Sequence, residues 1–251
     1  MALRVSWLPR WLGAAFASLY SAYGDELFTF EQAAGAAARG NIKLILSLLR
    51  RKGWLVVFAR EGRKRSYRLL RPDLAVLAFG QEASMIPKQG RYATLVACTL
   101  GALKRHYGGG LCSVAIFGSV ARGTAALNSD LDMLVVADFR KTITGRIDEL
   151  ADLEYSGKVK QELDWLGSQR VQCHISWFPL TREEAARFRP LYLDMVEDAM
   201  IVYDRSSFLT HILGELRRRL KRQGAKRFWL DKDRWYWSLN REIGEEPLVA
   251  V

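Results

Sequence analysis

Apolar and polar positions along the chain change period several times, and each change marks a predicted element. Leu12, Phe16, Leu19, Tyr20 and Tyr23 recur at helical spacing, which predicts an amphipathic helix ending near Gly24. Phe28-Thr29-Phe30 reads as a short strand before a second helix over 31–39, and Gly40-Asn41 makes a turn. A third helix over 42–52 carries Ile42, Leu44, Ile45, Leu48 and Leu49 as its apolar face, with Gly53 as its terminator. Two β-rich runs, 54–60 and 66–70, flank a tip of Glu61-Gly62-Arg63-Lys64-Arg65, the signal of a hairpin.

Residues 73–90 read as a connecting segment whose apolar stretch, 74–79, is expected to pack. A helix over 91–107 follows, stopped by Gly108-Gly109-Gly110. Beyond it strands and helices alternate. Strands are expected at 111–117, 131–136, 171–178 and 200–203, and helices at 144–155, 158–166, 182–188, 191–198 and 208–223. Two short aromatic strands, 224–230 and 235–237, close the pattern as a hairpin. The fold class is α/β (α+β): a first domain at 1–72, a connection at 73–90, a mixed sheet flanked by helices at 91–204, and a small helix-hairpin extension at 205–251.

A length of 251 residues agrees with more than one domain. Charge sharpens the division. The chain carries a net +11, and residues 1–72 hold thirteen bases against four acids. Residues 73–204 are slightly acidic, and 205–251 are basic again. The first segment is therefore an electrostatic module suited to an anionic partner. Cys98, Cys112 and Cys173 form no C-x-x-C pair, which excludes a standard zinc site and a disulfide framework and suits a reducing cytoplasm. Trp7, Pro9, Arg10 and Trp11 interrupt the apolar N-terminal run, so no signal peptide is expected. No stretch approaches the roughly 20 apolar residues of a membrane span, and no membrane partner is expected.

Chemistry concentrates at Phe117-Gly-Ser-Val-Ala-Arg-Gly-Thr-Ala-Ala-Leu-Asn-Ser-Asp130-Leu-Asp132. Gly118 ends a strand where the chain must turn sharply and let a ligand reach the backbone. Ser119 opens a short helix, where free N–H groups and a hydroxyl suit a phosphate. After ten intervening residues come Asp130 and Asp132, at the start of the next strand. Strand residues i and i+2 share a face, so both carboxylates converge on one point. Two converging carboxylates beside a phosphate-binding turn make a magnesium site for phosphoryl or nucleotidyl transfer.

At Gly118, Ser119, Ala121, Arg122, Gly123, Ser129, Asp130 and Asp132 the chain resembles the DNA polymerase beta-type nucleotidyltransferases, and most of all their small prokaryotic minimal branch. The likeness is strong over about 91–140 and looser beyond. It implies that Gly118 and Ser119 grip a nucleoside triphosphate and that Asp130 and Asp132 hold two magnesium ions. An acceptor hydroxyl on a cognate protein, an RNA or a small molecule would receive the nucleoside monophosphate. Arg122 either neutralises phosphate charge or caps the helix. The family also places a third carboxylate on a later strand, and 171–178 contains none. His174 and Ser176 share a face there, His174 reading as an interior or rim histidine; Glu162, Asp164, Asp194, Glu197 and Asp198 reach the site only if the fold bends them in.

Three helices followed by a hairpin is similar to a winged helix-turn-helix along most of 1–72. That likeness implies duplex DNA or RNA binding, with Lys43 and Arg50 on the third helix and Arg63, Lys64 and Arg65 on the tip. The alternative is a docking or dimerisation module, giving a homodimer. Aromatics interleaved with bases in the C-terminal hairpin either stack on nucleobases or build a small core or dimer seam. Two functions emerge: a magnesium-dependent nucleotidyltransferase coupled to a DNA-binding domain, or a DNA-binding regulator or antitoxin whose degenerate domain senses nucleotide.

Overall fold

The computed structural model describes residues 6–36, 40–79, 86–230 and 234–239. The chain forms two compact units, residues 1–101 and 102–251. The first contains helices α1 (Arg10–Tyr23), α2 (Phe30–Ala36) and α3 (Ile42–Arg51), an antiparallel hairpin of β1 (Leu55–Glu61) and β2 (Lys64–Leu69), and α4 (Pro72–Phe79). A 3-10 turn at Gly90–Tyr92 leads into α5 (Ala93–Tyr107), which crosses the division between the units.

Leu12, Phe16 and Leu19 of α1 are buried, as are Ile45, Leu46 and Leu49 of α3 and Leu55, Tyr67 and Leu69 of the hairpin. Leu44, expected in the core, is 50% exposed. Ile42, Ile45, Leu46 and Leu49 follow the i, i+3, i+4, i+7 series, and Leu44 falls on the opposite side of that stripe. The expected strand at Phe28-Thr29-Phe30 shrinks to one residue, Phe28, bridged to Tyr67. Thr29 instead starts the helix: the Gln32 amide N–H donates to its Oγ1 at 3.3 Å, and the Thr29 N–H donates to Gln32 Oε1 at 2.7 Å. Such reciprocal capping favours helix over strand from Phe30 onward. Gly62, at φ +60°, and Arg63 form the hairpin tip, while Lys64 and Arg65 already belong to β2. The segment expected to connect domains begins as helix α4, with Leu74 and Ala75 buried. Residues 37–39 of the expected second helix, 80–85 of the connection and 240–251 of the C-terminal extension lie outside the described residues.

The second unit continues with β3 (Leu111–Ile116), α6 (Gly118–Arg122), β4 (Leu131–Ala137), α7 (Ile143–Glu154), α8 (Gly157–Ser168) and β5 (Ile175–Leu180). Then come α9 (Arg182–Ala186), α10 (Leu191–Asp198), β6 (Met200–Asp204), α11 (Phe208–Arg222), and a hairpin of β7 (Lys226–Trp229) and β8 (Trp235–Ser238). The main sheet runs β5-β4-β3-β6, parallel between β4 and β5 and antiparallel elsewhere. Every residue of β3 is buried, and so is every residue of β4 except Asp132. A sheet buried on both faces reads as a continuous apolar run, which is why these two strands are legible in the sequence. Leu134 and Val136 pack with Tyr192, Met195 and Val196 of α10 and with the apolar stripe of α11. β5 begins at Ile175, later than expected, and the Ile175 N–H donates to the Glu154 side chain; Pro179 is tolerated there because β5 is an edge strand. No helix among the described residues is long and apolar enough to cross a membrane.

Asp204 ties the sheet to α11. Its carboxylate accepts from Ser113 Oγ at 2.7 Å, from the Leu209 and Thr210 N–H groups at 2.9 Å each, and from Thr210 Oγ1 at 2.7 Å. It therefore satisfies free N–H groups of the first turn and holds β6 beside β3. Asp204→Ala is expected to lower unfolding free energy by about 1–3 kcal/mol, leaving Ser113 buried without this acceptor. A chemical denaturation curve shifted by less than about 0.5 kcal/mol would contradict this role.

Candidate active site

Everything at the site depends on how β3 hands the chain to α6. At the strand's end the Phe117 N–H donates to the Asp132 carbonyl at 3.1 Å, which keeps the two strands paired up to the turn. Gly118 then adopts φ +68°, and a Cβ built there would lie 2.0 Å from Asp132 Oδ2. Only glycine lets the carboxylate lie over the backbone at this point. The single turn of α6 is pinned by buried Val120 and Ala121 and closed by Gly123, at φ +86°, whose N–H donates to the Ser119 carbonyl at 2.9 Å. Ser129 Oγ accepts from the Ala126 N–H at 2.9 Å and fixes the loop that returns the chain to β4.

Asp130, exposed, precedes β4, and Asp132 is its second residue. Alternation along the strand aims both at one face. Burial, then the neighbouring Asp130 charge, pushes the Asp132 carboxyl up to about 6; Arg122 pulls it down and Asp194 raises it further. Asp194, on α10, is also raised, mainly by burial, against the guanidinium charges of Arg122 and Arg227. Of the acids that sequence left distant, Asp194 is thus brought within electrostatic range of the pair. Glu197 instead meets Arg217 at 3.3 Å, Asp198 meets Arg227 at 2.7 Å, and Asp164 meets Lys160 at 2.6 Å.

β5 supplies no acid. Ser176 stands opposite Asp132 in the parallel register, on the strand where a third carboxylate was expected. Among the described residues no group of three or more His, Cys, Asp or Glu side chains is arranged to hold a metal ion. A cavity of about 570 Å³ adjoins Asp130 and is lined by Glu154, Tyr155, Lys160, Asp164 and His174, among others. His174 is a rim residue with its side chain 77% exposed. Glu154 is buried; its carboxylate accepts from the Ile175 N–H and from Trp177 Nε1, both at 3.3 Å, and lies 3.7 Å from His174 Nδ1. Nothing in the local pattern distinguished Glu154 from a solvent-facing helix residue.

Arg122 shows a contact that its own sequence neighbourhood does not announce. Its guanidinium sits over the Trp235 ring, 4.5 Å from the centroid, so the C-terminal hairpin reaches the site. In the first unit, Lys43 and Arg50 of α3 and Arg63, Lys64 and Arg65 of the hairpin line one groove of about 580 Å³, together with Phe30 and Tyr67. The structure brings those five bases together.

The elevated Asp132 pKa has a directional consequence. The folded state keeps this proton up to about pH 6, whereas the unfolded chain releases it near 3.8. Ionised Asp132 therefore opposes folding above pH 6, and the penalty fades as pH falls toward 4. Asp132→Asn is expected to melt several degrees higher than the parent at pH 8, with the gap closing below about pH 4. A gap that stays constant from pH 4 to 8 in thermal melts would refute the coupling.

No curated protein matches the chain. Among solved structures, a toxin-antitoxin crystal structure with AMP-PNP is 17% identical, covering 50% of this chain and 90% of that one at TM-score 0.31. A mutant toxin-antitoxin MntA-HpeT structure is 16% identical with the same coverage at TM-score 0.33. The toxin-antitoxin MntA-HepT structure is 16% identical, covering 50% and 87% at TM-score 0.28. Residues 99–203 match the family model of the nucleotidyltransferase domain, a span that contains β3, the Gly118 turn, α6 and both carboxylates at the head of β4.

Proposed function

We infer that the chain is a magnesium-dependent nucleotidyltransferase that moves a nucleoside monophosphate from a nucleoside triphosphate to an acceptor hydroxyl. One observation carries this reading: the Asp132 carboxylate lies over the Gly118 backbone, with Asp130 adding a second negative charge beside it. The residues fit a hard divalent cation. A carboxyl whose proton affinity is raised by burial and by the neighbouring Asp130 charge is relieved by a metal, and the oxygens of both acids are donors of the right kind. Asp130 and Asp132 would hold two magnesium ions, which supply charge stabilisation at the phosphates.

The remaining work falls to the protein's own groups. Gly118 and Ser119 bind the triphosphate through the free N–H groups and the hydroxyl at the start of α6. Arg122 offsets phosphate charge. The cavity beside Asp130 lies open to an acceptor hydroxyl on a protein, an RNA or a small molecule. In the first unit, three helices and a hairpin act as a winged helix-turn-helix. Its five-base groove takes the phosphate backbone of duplex DNA or RNA.

A second reading has one observation in its favour: Ser176, not an acid, faces Asp132 across the sheet. A site reduced to two carboxylates would bind nucleotide as a sensor, and the protein would act as a DNA-binding regulator or antitoxin.

Labelled ATP or CTP, magnesium and a cell extract separate these readings. Label should pass to an acceptor, and Asp130→Ala should cut the transfer rate on the order of 100-fold or more. Nucleotide binding without transfer under every condition would leave the sensor. For the groove, Arg63→Ala combined with Lys64→Ala should weaken duplex binding and reduce its log–log salt slope by roughly 2. An unchanged slope in a fluorescence-anisotropy titration would remove nucleic acid from this groove.

A further inference from the structure

The hairpin of β7 and β8 lies beyond the span matched by the nucleotidyltransferase family model, yet it touches the site. Its register pairs Trp229 with Trp235 and Arg227 with Trp237, so these four residues share one face. Two of them explain how the hairpin is anchored. Trp237 Nε1 donates to the Leu193 carbonyl at 3.1 Å, and Arg227 pairs with Asp198 at 2.7 Å.

Anchoring does not account for the two indoles. Trp229 and Trp235 have ring centroids 5.4 Å apart with planes inclined by 53°. The Arg227 guanidinium lies 4.4 Å from the first centroid and 5.1 Å from the second, and Arg122 lies 4.5 Å from Trp235. Trp229 is 50% exposed and Trp235 half-buried, so aromatic surface stays open. Two guanidiniums among two indoles make a face that is aromatic and cationic. Its complement is a planar ring carrying negative charge at one end. Arg122 supplies the link to the carboxylates. It stands three residues after Ser119 on α6, on the same side of the helix, and its charge is felt by Asp132.

We propose that this hairpin face is the nucleobase platform of the site, the indoles of Trp235 and Trp229 holding the base of a nucleoside triphosphate, one by stacking and the other at its edge, while Arg122 meets its phosphates. The proposal rests on the nucleotidyl-transfer reading and adds where the base goes. Stacking of this kind tolerates every base, since each has a π-face, so the platform contributes affinity rather than base choice.

Binding of ATP and of inorganic tripolyphosphate, each with magnesium, tests it by calorimetry on the full chain. Trp235→Ala should raise the Kd for ATP about tenfold and leave tripolyphosphate within about twofold, because only the base is lost. Trp235→Phe should restore most of the ATP affinity. Trp229→Ala removes a half-exposed ring whose loss the fold tolerates, and it should weaken ATP in the same selective way. Equal weakening of both ligands would mean that the indole merely props Arg122, and no weakening of either would mean that it does nothing for the ligand; both outcomes overturn the platform. Wild-type protein that binds ATP no better than tripolyphosphate also overturns the platform alone. Wild-type protein that binds neither ligand overturns the nucleotidyl-transfer reading itself.

Discussion

The close approach of a carboxylate to a glycine governs the second unit of this protein. Asp132 Oδ2 occupies the space a side chain at residue 118 would need, and the backbone there turns through φ +68°. Several features follow from that contact. β4 must lie directly beside β3 and antiparallel to it, with the ladder maintained to the last residue before the turn. The sheet must be covered on both faces, or the carboxylate would be solvated and ordinary. Because it is covered, Asp132 carries a pKa near 6 and the pair of acids stores repulsion that an incoming cation can relieve.

The centre of the sheet also decides what flanks the pair. On the β5 side the fold leaves a cavity beside Asp130, with Glu154 buried at its wall and His174 on its rim. From α10 comes Asp194, and from the C-terminal hairpin comes Trp235 against Arg122. The site is therefore assembled from segments spread across the second unit, although its two acids lie within a few residues of each other.

The first unit applies a different physics. Within it, residues 1–72 hold thirteen bases against four acids. Lys43, Arg50, Arg63, Lys64 and Arg65 gather in one groove between α3 and the hairpin, where their repulsion is a standing cost in the absence of an anion. Arg68 shows the contrasting use of a base. It is buried, donating from Nε to the Asp25 carbonyl at 2.6 Å and lying 3.6 Å from the Asp25 carboxylate, and so it serves the fold.

Much of this was legible from the chain. β3 and β4 announced themselves as apolar runs, and Gly118, Ser119, Asp130 and Asp132 lie so close in sequence that strand geometry alone makes the two acids converge. The amphipathic helices and both hairpins were readable for the same reason, since their periods are local. Leu44 was misplaced because a cluster of apolar residues does not state which of them form the buried stripe; the i, i+3, i+4, i+7 series selects Ile42, Ile45, Leu46 and Leu49. Only the tertiary structure could decide that Asp194 comes within electrostatic range of Asp132, that Glu154 meets Ile175 and Trp177 of β5, that Ser176 stands opposite Asp132, and that Trp235 meets Arg122. Each of these depends on strand register or on packing between segments far apart in the chain, which no local pattern encodes. The sequence by itself determined the two carboxylates and the glycine between strands; the fold determined their company.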